Sequence, residues 1–142
     1  MKLRPVEDRD LDAFYEHQAD REAVDLADVP SRKRPAFDEH WAWMRAEPEI
    51  LIRTIEEEGD AAGYVFTFIS AGSRVVGYWL GREWWGRGIA TQALAAFLEL
   101  VDERPLGATV APANQASVRV LEKNGFRLLR EEPGSLVFEL LG

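Results

Sequence analysis

The sequence contains no cysteine. That excludes a disulfide framework, thiolate zinc ligands and a cysteine nucleophile. Positive charge is also scarce: 17 Lys and Arg stand against 25 Asp and Glu, a net charge of −8. Nucleic acid and anionic membranes both call for a cationic face, so neither is expected as the main partner. No stretch approaches the ~18 consecutive apolar residues of a membrane span. Residues 1–10 are charged from the start and lack an apolar h-region, so no secretory signal is expected. No internal repeat and no low-complexity linker divides the chain, and no metal site is expected. What is present is a globular composition: 142 residues, 46% hydrophobic, with five Trp. A chain of this length buries about two-thirds of its unfolded surface. We therefore read residues 1–142 as one domain, soluble and cytoplasmic.

Periodicity and punctuation predict the order of elements. A short strand is expected over residues 2–6, then a helix capped by Asp8 or Asp10 and reaching about Asp20, with Leu11, Phe14 and Tyr15 on its apolar face. Residues 20–35 are irregular in pattern, and Phe37, Trp41 and Met44 mark a second helix ending near Pro48. Strands follow over residues 50–56, 61–69 and 74–80, the last two forming a hairpin around Ala71, Gly72 and Ser73. Ala90, Ala93, Leu94, Phe97, Leu100 and Val101 recur at helical spacing, with Pro105 as the stop. A short strand over 108–111 precedes a helix from the Asn114 cap to Asn124, closed by a left-handed Gly125. Residues 126–130 and 136–140 make a final hairpin across Pro133 and Gly134. The order β-α-α-β-β-β-α-β-α-β-β predicts an α+β fold, or mixed α/β, around one central sheet.

Residues 78–91 are the informative stretch, because a strand runs into a loop with glycines two apart that opens onto a helix. Gly86 and Gly88 can turn the amides from Arg87 to Thr91 toward a pyrophosphate. They fit a plain strand-to-helix turn equally well. A dinucleotide fingerprint is disfavoured, since Thr91 stands where the third glycine belongs, and no Walker A sequence occurs. Further on, Asn114 reads as a helix cap and Ser117 lies one turn in.

Together these stretches resemble the GNAT-type N-acetyltransferases, most closely the branch that acetylates the N-termini of ribosomal proteins. The family signature, Gln/Arg-x-x-Gly-x-Gly/Ala, is matched by Glu83, Trp84, Trp85, Gly86, Arg87 and Gly88, followed by Ile89 and Ala90, with Glu83 departing at the first position. A second block, Asn-x-x-Ser and then Leu-Glu-Lys-x-Gly-Phe, is met by Asn114, Ser117, Leu121, Glu122, Lys123, Gly125 and Phe126. The resemblance covers residues 74–140 in motif and the first half in element order only. It implies a mostly antiparallel central sheet, splayed in the middle and flanked by helices, and acetyl-CoA as the cofactor. The open strand would bond the pantetheine arm, with Tyr78, Trp79 and Leu80 nearest the thioester. Trp85, Gly86, Arg87, Gly88, Ile89, Ala90 and Thr91 would surround the pyrophosphate, and Arg82, Arg87 and Lys123 would make the site locally positive. Asn114 matches the residue that bonds the pantetheine arm, a role that stands beside the cap.

The implied reaction is direct attack of an amine on the thioester, with Ser117 in the position that protonates or orients the departing thiolate. No base is assigned. His17 and His40 read as surface or packing residues, and Glu56, Glu57 and Glu58 as a solvated charge run. The acceptor pocket is expected among the first helix, residues 20–35 and the second helix, where Phe37, Trp41 and Trp43 line it or belong to the core. The surplus of carboxylates favours a cationic acceptor, such as a protein N-terminus, a polyamine or an aminosugar. The partner is thus a small-molecule or peptide amine, and the protein a monomer or homodimer. The alternatives are a non-catalytic acyl-CoA-binding module and an interaction domain on the same scaffold.

Overall fold

The computed structural model describes residues 1–20 and 31–142. Along the chain run β1 (Lys2–Arg4), α1 (Asp10–Gln18), α2 (Arg34–Ala46), β2 (Leu51–Glu57), β3 (Asp60–Ser70) and β4 (Ser73–Leu80). A short 3-10 turn (Arg82–Trp84) leads to α3 (Ile89–Leu98), β5 (Leu106–Val110), α4 (Gln115–Lys123), β6 (Arg127–Glu132) and β7 (Ser135–Leu140). The order is the one the sequence predicts.

Three details differ. Neither Asp8 nor Asp10 caps α1: Arg9 holds the cap position without a side-chain bond. The Asp10 carboxylate instead turns inward, accepting from Arg4, the Glu7 amide and the Thr54 hydroxyl. Helix α2 begins within the stretch that looked irregular, because Pro35 sits in its first turn, where a missing N–H is harmless. The rest of the irregular stretch, residues 21–30, lies outside the described residues. Helix α3 stops at Leu98 rather than at Val101: the Leu100 amide donates to Phe97 O at 2.9 Å in a tightened turn.

The seven strands form one sheet in the order β1-β2-β3-β4-β5-β7-β6. Every neighbouring pair is antiparallel except β4 and β5, which are parallel and meet only at Val75↔Gly107. Beyond that bridge β4 pairs with β3 alone, from Val76 through Leu80. The sheet is therefore splayed in its middle, and one edge of β4 is open. Ala71 and Gly72, both with positive φ (50° and 79°), make the tight hairpin turn before β4.

Alternation along β3 sends side chains to two cores. Val65 joins Ile55, Leu94, Phe97, Leu121 and Phe138 on the face covered by α3 and α4. Tyr64 and Phe66 pack against Phe14, Phe37, Trp41 and Ile52 on the face covered by α1 and α2. Phe97 is 0% exposed, a burial that contributes about 1.5–3 kcal/mol. Among the described residues, no helix is long and apolar enough to cross a membrane.

Candidate active site

Where β4 ends, the chain passes through Gly81 and the 3-10 turn into the glycine loop. Gly86 and Gly88 both hold left-handed backbones, with φ of 77° and 76°. A Cβ added at Gly86 would meet no atom within 4 Å, so it is conformation and not crowding that calls for glycine. A side chain there costs roughly 1–2 kcal/mol. The N–H groups of residues 86–91 donate to no acceptor among the described residues, and the first bond of α3 runs from the Gln92 amide to Gly88 O at 3.2 Å. The amides of residues 88–91 are the unpaired donors that every helix start leaves, and here they follow a glycine loop at the positive end of the helix.

Of residues 86–91 all but Arg87 line a cleft of about 330 Å³. Strand β4 contributes Tyr78, Trp79 and Leu80, and the loop and α3 contribute Trp84, Trp85, Gly86, Gly88, Ile89, Ala90 and Thr91. Asn114, Ser117 and Lys123 close it from α4 and its cap. The remaining two expected residues stand outside the lining. Arg82 lies 3.0 Å from Asp20 and stacks over Trp85, 5.7 Å from the ring centre. Arg87 sits 5.0 Å over Trp84 and 3.9 Å from Glu58. The cations that do line the cleft are Lys123 and Arg119. Arg119 escaped the sequence reading, although Ala116, Arg119, Val120 and Lys123 follow the i, i+3, i+4, i+7 pattern of one helix face. Glu83 lines neither this cleft nor the next.

At the inner end, Tyr78 Oη and Ser117 Oγ share a hydrogen bond of 2.7 Å. Ser117 is buried. Burial pushes the Tyr78 phenol above the ordinary tyrosine range, against a smaller downward pull from Ser117. This pair was not visible in the sequence. Asn114 caps α4 by accepting from the Ser117 amide at 3.3 Å. Its side-chain amide donates to no partner among the described residues, which leaves it free for a ligand as well.

A second cavity, of about 480 Å³, lies among α1, α2 and the β3–β4 hairpin. It shares Tyr78, Trp79, Asn114 and Ser117 with the first. Phe14, Phe37, Trp41 and Trp43 line it, and three of the four are also core residues, Trp43 being the exposed one. Gly77 lets Phe66 lie across β4, since a Cβ there would fall 2.8 Å from Phe66 Cζ. Arg32 and His40 line the same cavity, and burial, helped by the Arg32 charge, lowers the His40 pKa. Burial pushes the Tyr64 phenol up to about 12. His17 lines neither cavity; it packs beneath Gly81, where a Cβ would fall 2.6 Å from its Nε2. Glu56 is not a free carboxylate, because it accepts from Arg4 at 2.7 Å.

The fold is shared with solved structures. An acetyltransferase of the GNAT family from Bacillus anthracis superposes with a TM-score of 0.82 at 18% identity, covering 98% of this chain and 93% of that one. Aminoglycoside acetyltransferase AAC(6')-Ib in complex with coenzyme A gives 0.80 at 19% identity, over 97% and 92% of the two chains. RimJ from Mycobacterium smegmatis, in complex with CoA-disulfide, gives 0.79 at 26% identity, over 99% and 81%. No curated protein sequence matches the chain. The family model described as the acetyltransferase (GNAT) domain matches residues 1–127. A splayed sheet, a glycine loop opening onto the start of α3 and a family match over most of the sequence lead to one conclusion: this chain belongs to the GNAT acetyltransferase family.

Proposed function

We propose that the protein transfers the acetyl group of acetyl-CoA to a primary amine by direct attack, with residues 1–142 acting as one acetyltransferase domain. The observation that carries this reading is the meeting of two cavities at Tyr78 and Ser117. One cavity has the donors for a diphosphate; the other is built for an organic body. The similar RimJ and aminoglycoside acetyltransferase structures each hold coenzyme A or its disulfide, which supports the same ligand here.

Acetyl-CoA supplies an activated thioester. In this reading the free amides of residues 86–91 bind its diphosphate, and Arg119 and Lys123 add positive charge beside it. The open edge of β4 pairs with the pantetheine arm as an added strand would, and the Asn114 side chain donates to the same arm. During transfer, the bond from amine nitrogen to acetyl carbon forms and the carbon–sulfur bond breaks. The thiolate takes a proton, and the amine gives one up. Tyr78 and Ser117 hold an exchangeable proton where the cavities meet, and burial keeps the phenol in its protonated form.

Calorimetry with acetyl-CoA and thiol release over an amine panel test this directly. Binding with release is expected. Binding without release would leave a non-catalytic acyl-CoA module, and no binding at millimolar acetyl-CoA would remove both readings. Gly86→Glu should abolish binding, because it adds bulk and negative charge at the diphosphate and strains a left-handed backbone.

A further inference from the structure

We infer that the site also takes thioesters of short straight acyl chains longer than acetyl, the chain lying in an apolar recess that opens where β4 and β5 part. The inference rests on the acetyltransferase reading and names the acyl class it serves. The second cavity does not stop at the sheet. Trp41, Tyr64 and Phe66 line it on the face of α1 and α2. Val76, Leu94, Ala108, Val110 and Leu121 line it on the opposite face, among the residues covered by α3 and α4. A gap in the sheet joins the two groups, since β4 and β5 pair only at Val75↔Gly107. Tyr78, Trp79, Asn114 and Ser117 line this cavity and the first cleft alike, so the recess is continuous with the place assigned to the thioester.

The five residues on the α3 and α4 face are all aliphatic, and an apolar chain gains by leaving water for such walls. Close-packed interiors leave few spaces wider than a water molecule, and an apolar space binds apolar groups in preference to water. Depth follows from the spacing along each wall. Leu121 stands one helical turn from Ser117, and Val76 stands two strand residues from Tyr78, each a step of about 6 Å. That depth takes a chain of a few carbons and turns away a fatty one. Ala108, buried on β5, is the smallest of the five and so sets the width of the recess. The transfer itself balances as it does for acetyl: the amine nitrogen bonds the acyl carbon and the carbon–sulfur bond breaks. The amine loses a proton and the thiolate gains one.

The test is calorimetry of the wild-type protein with acetyl-, butyryl- and decanoyl-CoA, which decides the point before any acceptor amine is known. Each methylene that enters the recess is expected to tighten binding by about fourfold. Butyryl-CoA should therefore bind about tenfold more tightly than acetyl-CoA, and decanoyl-CoA no more tightly than butyryl-CoA. Equal or weaker binding of butyryl-CoA overturns the inference while leaving the acetyltransferase reading intact. Tighter binding of decanoyl-CoA than of butyryl-CoA overturns the length assigned to the recess. Binding of none of the three removes the acetyltransferase reading, and the inference with it. Ala108→Leu, which puts a branched side chain into the recess, should bring the affinities for butyryl- and acetyl-CoA to within about twofold of one another. An unchanged ratio in a variant that circular dichroism shows to be folded overturns the placement of the chain. If that variant does not fold, the wild-type series decides by itself.

Discussion

Tyr78 and Ser117 form one proton-holding unit, since the 2.7 Å bond between them leaves each hydroxyl oriented by the other. A positioned acid contributes about 10²–10⁴-fold to a rate. Tyr78→Phe is therefore expected to lower kcat by about 10²-fold, with the dissociation constant of acetyl-CoA within about threefold of wild type. Ser117→Ala should lower kcat less, by about tenfold, and the double variant should be no worse than Tyr78→Phe alone, because residues acting as a unit are not additive. Additive losses in kcat would show two independent roles. The pH dependence carries a sign as well. Burial raises the phenol above its usual 10.0, with the Ser117 bond opposing it only in part. The acid form persists through alkaline pH while the amine becomes neutral. The kcat profile should thus rise toward pH 9 and show no falling limb below 10, the ordinary tyrosine value. A limb centred near pH 8 would exclude Tyr78 as the proton source.

Elements are joined near the N-terminus by a polar knot that the sequence disguised as a helix cap. Asp10, 2% exposed, binds Arg4 of β1 at 2.8 and 2.9 Å and Thr54 of β2 at 2.8 Å. Burial alone would raise its pKa, but the bonds from Arg4, the Glu7 amide and Thr54 outweigh it, so the carboxylate titrates below its ordinary value. A depressed folded pKa contributes stability that is fully present above the unfolded value of ~3.9 and is lost as pH falls through the folded one. Asp10→Asn should cost about 3 kcal/mol at pH 7, as expected when one partner of a buried pair is removed. The acid side of its Tm curve below pH 4 should also be flatter than that of wild type, and scanning calorimetry reads both. The element order was legible because helical and strand periods are local, and Gly, Pro and Asn mark their ends. Contacts between elements were not. Tyr78 and Ser117 are 39 positions apart, and nothing in their neighbours announces the pair. Arg82 and Arg87 are marked by their place in the loop, but their ion-pair partners Asp20 and Glu58 come from elsewhere in the chain and no local pattern announces them. Arg119 was within reach of periodicity, since it shares a helix face with Lys123.

At the scale of the whole molecule, net charge and site charge oppose one another. The chain carries −8, yet among the described residues no Asp or Glu lines either cavity, and Arg119 and Lys123 line the first. In the proposed binding mode the carboxylates act on acetyl-CoA from a distance, and the amides and the two cations act at contact. Screening separates these contributions, because the Debye length falls from ~30 Å at 0.01 M salt to ~8 Å at 0.15 M. At low salt, repulsion from the whole surface should slow the approach of an anionic substrate; at physiological salt only the nearby positive groups remain in range. Stopped-flow association, read by the tryptophans of the first cleft, should stay level or speed up between those salt concentrations. Surfaces that steer their ligands show the opposite, a rate that falls steeply with salt. Reversing both local charges, Arg119→Glu with Lys123→Glu, should weaken acetyl-CoA binding by about 10–100-fold, as loss of two charge-assisted contacts would. Both side chains are exposed, so Tm should scarcely move. A steep fall of the wild-type association rate with salt would mean that the far field attracts, and would contradict the division of charge proposed here.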